Sequence, residues 1–193
     1  MVVQIDESLM RHKPKVCTKM AYGNKMANAH YWALMKLYLS LSQHHRGRAT
    51  SKEVWVFGIV DTSSRPTLGY IEIVPCRDAN TLLPIIQAHK LPGTIIHSDQ
   101  WSAYSRVQSL TNVATHSTVN HSIEFVNPTT GVHTQHVESY WNRVKTKFKL
   151  MRGCHLVQLP SYLDEFMWRE RYGTTASSAL EAIIADIAAQ YPV

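Results

Sequence analysis

Cysteine is scarce in this chain, with three among 193 residues. Cys17, Cys76 and Cys154 are scattered and form no CxxC pair, which argues against a disulfide framework and a structural zinc site and favours a reducing compartment. Acidic residues are outnumbered, 14 Asp+Glu against 20 Lys+Arg, for a formal charge of +6. That balance favours polyanionic partners such as nucleic acid or an acidic membrane face. No apolar run approaches the roughly 20 residues of a membrane span, the start lacks a signal-peptide layout, and no internal repeat or low-complexity tract is present. What remains is a chain of ordinary hydrophobic content, 45%, long enough for one domain with a sizeable core.

Strand patterns come early. Val2-Val3-Gln4-Ile5 is short and β-branched, and "VWVFGIVDTSSRPTLGYIEIVP" reads as a hairpin with strands Val54 to Val60 and Tyr70 to Val74. Asp78 offers an N-cap for a helix through Leu82, Leu83, Ile85, Ile86 and His89, closed by "LPG". A strand over Thr94 to His97 follows, then the start of a short helix after Ser102 and a further strand candidate, Ser122 to Val126. From His136 a long amphipathic helix carries Val137, Tyr140, Trp141, Val144 and Phe148 on one stripe, ended by Gly153. A helix around Tyr162, Leu163, Phe166 and Met167 and an Ala-rich closing helix complete the chain. Strand, helix, strand after a hairpin argues for a mixed α/β sheet flanked by helices.

Three acidic residues sit where chemistry would want them: Asp6 and Asp99 at strand ends and Glu138 in the first turn of the basic helix. Sites in open α/β sheets collect beyond the carboxyl ends of strands. Two neighbouring carboxylates repel, and a divalent cation that prefers oxygen ligands, magnesium or manganese, keeps both ionised; two such ions can serve an in-line phosphodiester displacement. Each acid also has a plainer reading. Asp99 after a strand is often a turn residue or N-cap, Glu138 complements the helix macrodipole, and Asp61 is a rival whose "DTSSRP" context reads as a hairpin turn.

The order of these elements and the stretches "VQIDES", "HHRGRATSKEVWVFGIVD", "TIIHSDQWSAY", "VNHS" and "HTQHVESYWNRVKTKFK" resemble the transposase domain of the ISXO-like insertion sequences and the eukaryotic Merlin transposons, RNase H-like DDE enzymes of the integrase superfamily. The resemblance implies an RNase H-like fold over residues 1–175, with a C-terminal helix over 176–193. It implies Asp6, Asp99 and Glu138 as a catalytic, metal-binding triad for two divalent ions, Mg or Mn. It also implies phosphodiester hydrolysis and strand transfer on double-stranded DNA, transposon ends and target alike, with a homodimer as one option.

Lys145, two helical turns beyond Glu138, is expected at a DNA phosphate in such enzymes. Arg143, Lys147, Lys149, Arg152 and His121 are expected to widen the contact, each against the plainer reading of a solvated charged face. His97, His121, His133 and His136 crowd the same motifs, yet their spacing matches no familiar zinc pattern. Trp141, on the apolar stripe, is expected in the core. The expected location is the nucleus if the source is eukaryotic and the cytoplasm or nucleoid if bacterial.

Two departures from the family pattern stand out. Residues 16–43, "VCTKMAYGNKMANAHYWALMKLYLSLSQ", separate a pair of runs that adjoin in relatives. Because valine codons begin GT and a glutamine codon can be CAG, the stretch reads as a translated intron; Tyr31, Leu34, Met35 and Tyr38 at helical spacing read instead as a genuine helical insertion. A spliced transcript lacking it would settle the matter for the intron. The second departure is the start at the first strand, without the upstream DNA-binding region of full-length relatives. It leaves open a non-catalytic, transposon-derived DNA-binding protein that retains the fold, and a plain nuclease is a further alternative.

Overall fold

The computed structural model of the chain describes residues 1–11, 53–123 and 125–191; the 16–43 stretch lies outside them. Five strands form one sheet: β1 Val2–Arg11, β2 Glu53–Asp61, β3 Leu68–Val74, β4 Thr94–Asp99 and β5 Val113–Val119. Their order across the sheet is β3-β2-β1-β4-β5. β2 runs antiparallel to β1 and β3, whereas β4 and β5 run parallel to β1. This is the mixed α/β sheet expected of an RNase H-like fold, and the hairpin accounts for its antiparallel half. A crossover is what makes β1 and β4 parallel, and helix α1, Ala79–His89, supplies it.

Helix α1 starts where Asp78 predicts, its carboxylate accepting from the Thr81 N–H at 2.8 Å. Leu82 and Ile86 face the sheet and pack with Val3, Ile5, Phe57, Ile59 and Ile96. The opposite face is covered by α2, Gln135–Leu150, and α3, Leu159–Tyr172, whose Val137, Tyr140, Trp141, Leu163 and Phe166 pack on Met10, Val56, Val60 and Ile71. Period-two alternation along β1 and β2 therefore sends even positions to α2 and odd positions to α1. Helix α4, Ala176–Gln190, closes the fold against α3 with a capping box at Thr175. Among the described residues no helix is long and apolar enough to cross a membrane.

Two strand expectations need correction. Among its described residues "SIEFV" forms no strand: 121–123 is a turn, Ile123 and Phe125 are exposed, and Val126 makes an isolated bridge to His133. The fifth strand is instead "VATHSTV", whose polar alternation suits an edge, where one flank of the backbone already pairs with β4 and little side-chain burial is needed. β1 is also longer than its apolar start suggests, because β2 pairs with it as far as Arg11↔Glu53.

Candidate active site

Asp6 lies in the middle of β1 rather than at a strand end. The strand continues along β2, but β4 accompanies it only from Val2↔Ile95 to Gln4↔His97. Continuing that parallel register by two residues sets Asp6 beside Asp99, the last residue of β4, and both point to the face covered by α2. The pairing of the two carboxylates is felt electrostatically. Burial first, then the charge of Glu7 and more weakly that of Asp99, push the Asp6 carboxyl up from its ordinary 3.8 to about 7. The Glu7 backbone N–H and the Trp141 indole pull the other way. Trp141 Nε1 is buried without a hydrogen bond of ordinary geometry, so it acts on Asp6 as a dipole.

Trp141 is in the core, as expected, at 3% exposure. It can lie there because Gly58, paired with Asp6 across β1 and β2, leaves room: a Cβ on Gly58 would sit 2.7 Å from Trp141 Cζ2. Helix α2 thus settles onto the sheet at the position next to Asp6.

The first turn of α2 is held by a residue that sequence reasoning passed over. Gln4, 2% exposed, is two positions before Asp6 on the same face. Its Oε1 accepts the N–H groups of His136 at 2.9 Å and Val137 at 3.1 Å. Its Nε2 donates to the His133 carbonyl at 2.8 Å. The N-cap residue Thr134 makes no side-chain cap, so a glutamine from the sheet satisfies N–H groups that helices normally leave orphaned. A lone Gln in a strand carries no signal of this role.

Glu138 is half exposed, and its Oε1 accepts from Thr134 Oγ1 at 3.4 Å and lies 3.8 Å from His121 Nε2. Asp99 Oδ1 accepts the Trp101 N–H at 2.9 Å. Among the described residues no three His, Cys, Asp or Glu side chains are grouped closely enough to hold a metal ion. The structure therefore brings Asp6 and Asp99 together and leaves Glu138 turned toward His121 and Thr134. The same finding covers a zinc site from His97, His121, His133 and His136, although the ring centroids of His133 and His136 are 5.2 Å apart. Asp61 is a turn residue, bonding Ser63 N at 2.8 Å and Ser63 Oγ at 2.6 Å.

The basic residues on and just beyond α2 divide into two groups. Arg143 is paired with Glu170 at 2.7 Å and donates to the Thr67 carbonyl at 2.8 Å, and Lys147 is paired with Glu165 at 2.9 Å. These two expected DNA contacts are taken up by internal bonds, because α3 lays its acidic residues along that flank. Lys145, Lys149 and Arg152 instead line a groove of about 830 Å³ with Leu9, Met10 and Phe148. His121 is bound to Thr134 at 2.9 Å, beside Glu138.

A carboxylate pair at the centre of an RNase H-like sheet agrees with the comparison to known families, in which the ISXO2-like transposase domain matches residues 35–171. The chain belongs to this family. Its function is accordingly transposition-related, of a nuclease or transferase kind, with DNA as the general partner. An uncharacterized transposase-like protein of Haemophilus influenzae is 27% identical over 100 residues, covering 52% of this chain and 78% of that one. No solved structure matches the chain. The ISXO2-like match includes Asp99 and Glu138 and begins inside the 16–43 stretch, so Asp6 is tied to the site by the sheet register.

Proposed function

We propose that this ISXO2-like domain is a DDE-type, metal-dependent DNA nuclease and strand transferase acting at transposon ends. The observation that carries the reading is the Asp6–Asp99 juxtaposition, with Asp6 pushed up to about 7 by burial and neighbouring negative charge. Hard carboxylate oxygens crowded with so little countercharge fit Mg or Mn, so Asp6 and Asp99 would hold the ions and Glu138 would complete a shell. When bound, such ions neutralise charge on the attacking and leaving oxygens of a phosphodiester.

The chain's own residues do the rest. The Trp101 N–H fixes the Asp99 carboxylate, Gln4 fixes the turn that carries Glu138, and the ring of Trp141 keeps water from the buried side of Asp6. Lys145, Lys149 and Arg152 hold backbone phosphates in the groove that lies further along β1 and α2 from the acids, which orients the strand without reading its sequence. Water is the nucleophile for cutting and a DNA 3′-hydroxyl for joining. Incubating the protein with a nicked or pre-cut duplex and Mn should yield cut and joined products that Asp99→Asn abolishes; full activity in that variant rejects the proposal. Products of cutting alone identify a plain nuclease.

The outward turn of Glu138 favours a second reading, a DNA-binding protein that has kept the fold without the chemistry. Manganese titration separates the two. The catalytic reading requires saturable, metal-dependent stabilisation that Asp6→Asn removes, and the second requires none.

A further inference from the structure

Beside Asp99, on the side of the sheet away from α2, three side chains from distant parts of the chain form a stack with no role in the site described so far. The Arg77 guanidinium, from the loop before α1, lies 3.7 Å from the ring centroid of Trp55 on β2 and 4.9 Å from that of Trp101. Trp101 Nε1 closes the arrangement by donating to the Arg77 carbonyl at 3.2 Å. Its own backbone N–H is the one that holds the Asp99 carboxylate.

The stack is fixed but incompletely occupied. Among the described residues Arg77 forms no ion pair and its side chain makes no hydrogen bond. Nearby carboxylates have other partners: Glu7 accepts the buried Tyr104 hydroxyl at 2.5 Å, and Asp78 caps α1. Glu7 feels Arg77 as an attractive charge without pairing to it. Trp101 is 39% exposed, which leaves indole surface open to solvent. A weakly hydrated guanidinium with unused donors, held against indole rings, suits a phosphate oxygen, and an open indole face suits a nucleobase.

We propose that Trp55, Arg77 and Trp101 form a second DNA-contacting element, Arg77 binding a backbone phosphate and Trp101 stacking on an unpaired base of the strand held at Asp99. The inference rests on the DNA-processing reading above and extends it to a substrate class, DNA with a single-stranded or frayed end. Trp55 packs with the α1 face of the sheet, whereas the Lys145 groove belongs to the α2 face. DNA is therefore gripped on both sides of the carboxylates, by charge alone on one and by charge with stacking on the other.

The test uses the full chain in EDTA, so that binding is read without cleavage, and fluorescently labelled duplexes that are either blunt or carry a single-stranded 3′ tail. Arg77→Ala should weaken binding to both and lower the salt slope by about one, and Arg77→Lys should restore the slope without the full affinity. Trp101→Ala should weaken binding to the tailed duplex by roughly five- to a hundredfold and leave the blunt duplex nearly unchanged, with Trp101→Phe intermediate. In the unaltered protein, the tailed duplex should quench tryptophan fluorescence more than the blunt one, a readout that does not depend on any variant folding. Wild-type binding that none of the substitutions changes, with equal quenching by the two duplexes, overturns this inference alone. A wild-type chain with no affinity for either DNA overturns the DNA-processing reading as well.

Discussion

The two ends of α2 are held to the protein in different ways. From Tyr140 onward the helix is packed and paired: Tyr140, Trp141 and Val144 are at most 3% exposed, and Arg143 and Lys147 reach Glu170 and Glu165 on α3. Its first turn rests on the buried Gln4 side chain, and there Glu138 faces outward. The first turn is thus fixed by hydrogen bonds to one buried side chain, and the rest of the helix by packing and ion pairs. The contrast also separates two groups of basic residues: Arg143 and Lys147 are paired with α3, and Lys145, Lys149 and Arg152 form no ion pair among the described residues.

The largest effect should come from breaking the packed end. Trp141→Ala removes a ring seated over Gly58 and should cost roughly 3–5 kcal/mol in urea unfolding; a loss below about 1 kcal/mol would show that the helix is not anchored there. Next comes the carboxylate pair itself. Because the Asp6 carboxyl is raised to about 7 in the folded state against an ordinary 3.8, the folded protein binds the proton more tightly. Its contribution is therefore fully present below about pH 4 and lost as pH rises through about 7, up to about 4 kcal/mol in metal-free buffer. Melting temperatures across that range should fall in the wild type and stay flatter in Asp6→Asn; parallel profiles would sink the assignment.

The sheet-held end gives a smaller stability effect and a larger functional one. Gln4→Leu leaves the His136 and Val137 N–H groups unpaired and should cost roughly 1–3 kcal/mol, while lowering metal-dependent cleavage more than Gln4→Glu, which keeps an acceptor. Equal activity in the two variants would remove Gln4 from the site. The smallest shifts sharpen the division of the basic strip. Lys147→Met should change stability by about 1 kcal/mol or less and DNA affinity hardly at all, whereas Lys145→Met should leave the melting point alone and reduce the salt slope of DNA binding by about one. The reverse pattern would reassign the two flanks.

Elements with strong local patterns are legible in the sequence itself. The α1 cap at Asp78, the hairpin around "DTSSRP" and the apolar stripe of α2 depend on contacts within a few residues, and they stand close to where the periodicity puts them. The exchange of "SIEFV" for "VATHSTV" as the last strand shows where such patterns stop. An apolar segment whose described residues make a single isolated bridge builds no strand, and a polar one beside β4 does, because strand formation depends on an available partner edge as much as on the residues.

The amino-acid order alone determined the helices, the hairpin, the mixed sheet and the three acids that the ISXO-like resemblance singles out, since each is written in short-range spacing or in a family pattern. Only the tertiary structure decided that Asp6 and Asp99 lie side by side while Glu138 turns toward His121, that Gln4 caps a helix more than a hundred residues away, and that Arg143 and Lys147 are taken up by α3. Those outcomes depend on register between strands and on the charge a packed neighbour presents, and neither quantity exists until the chain has folded.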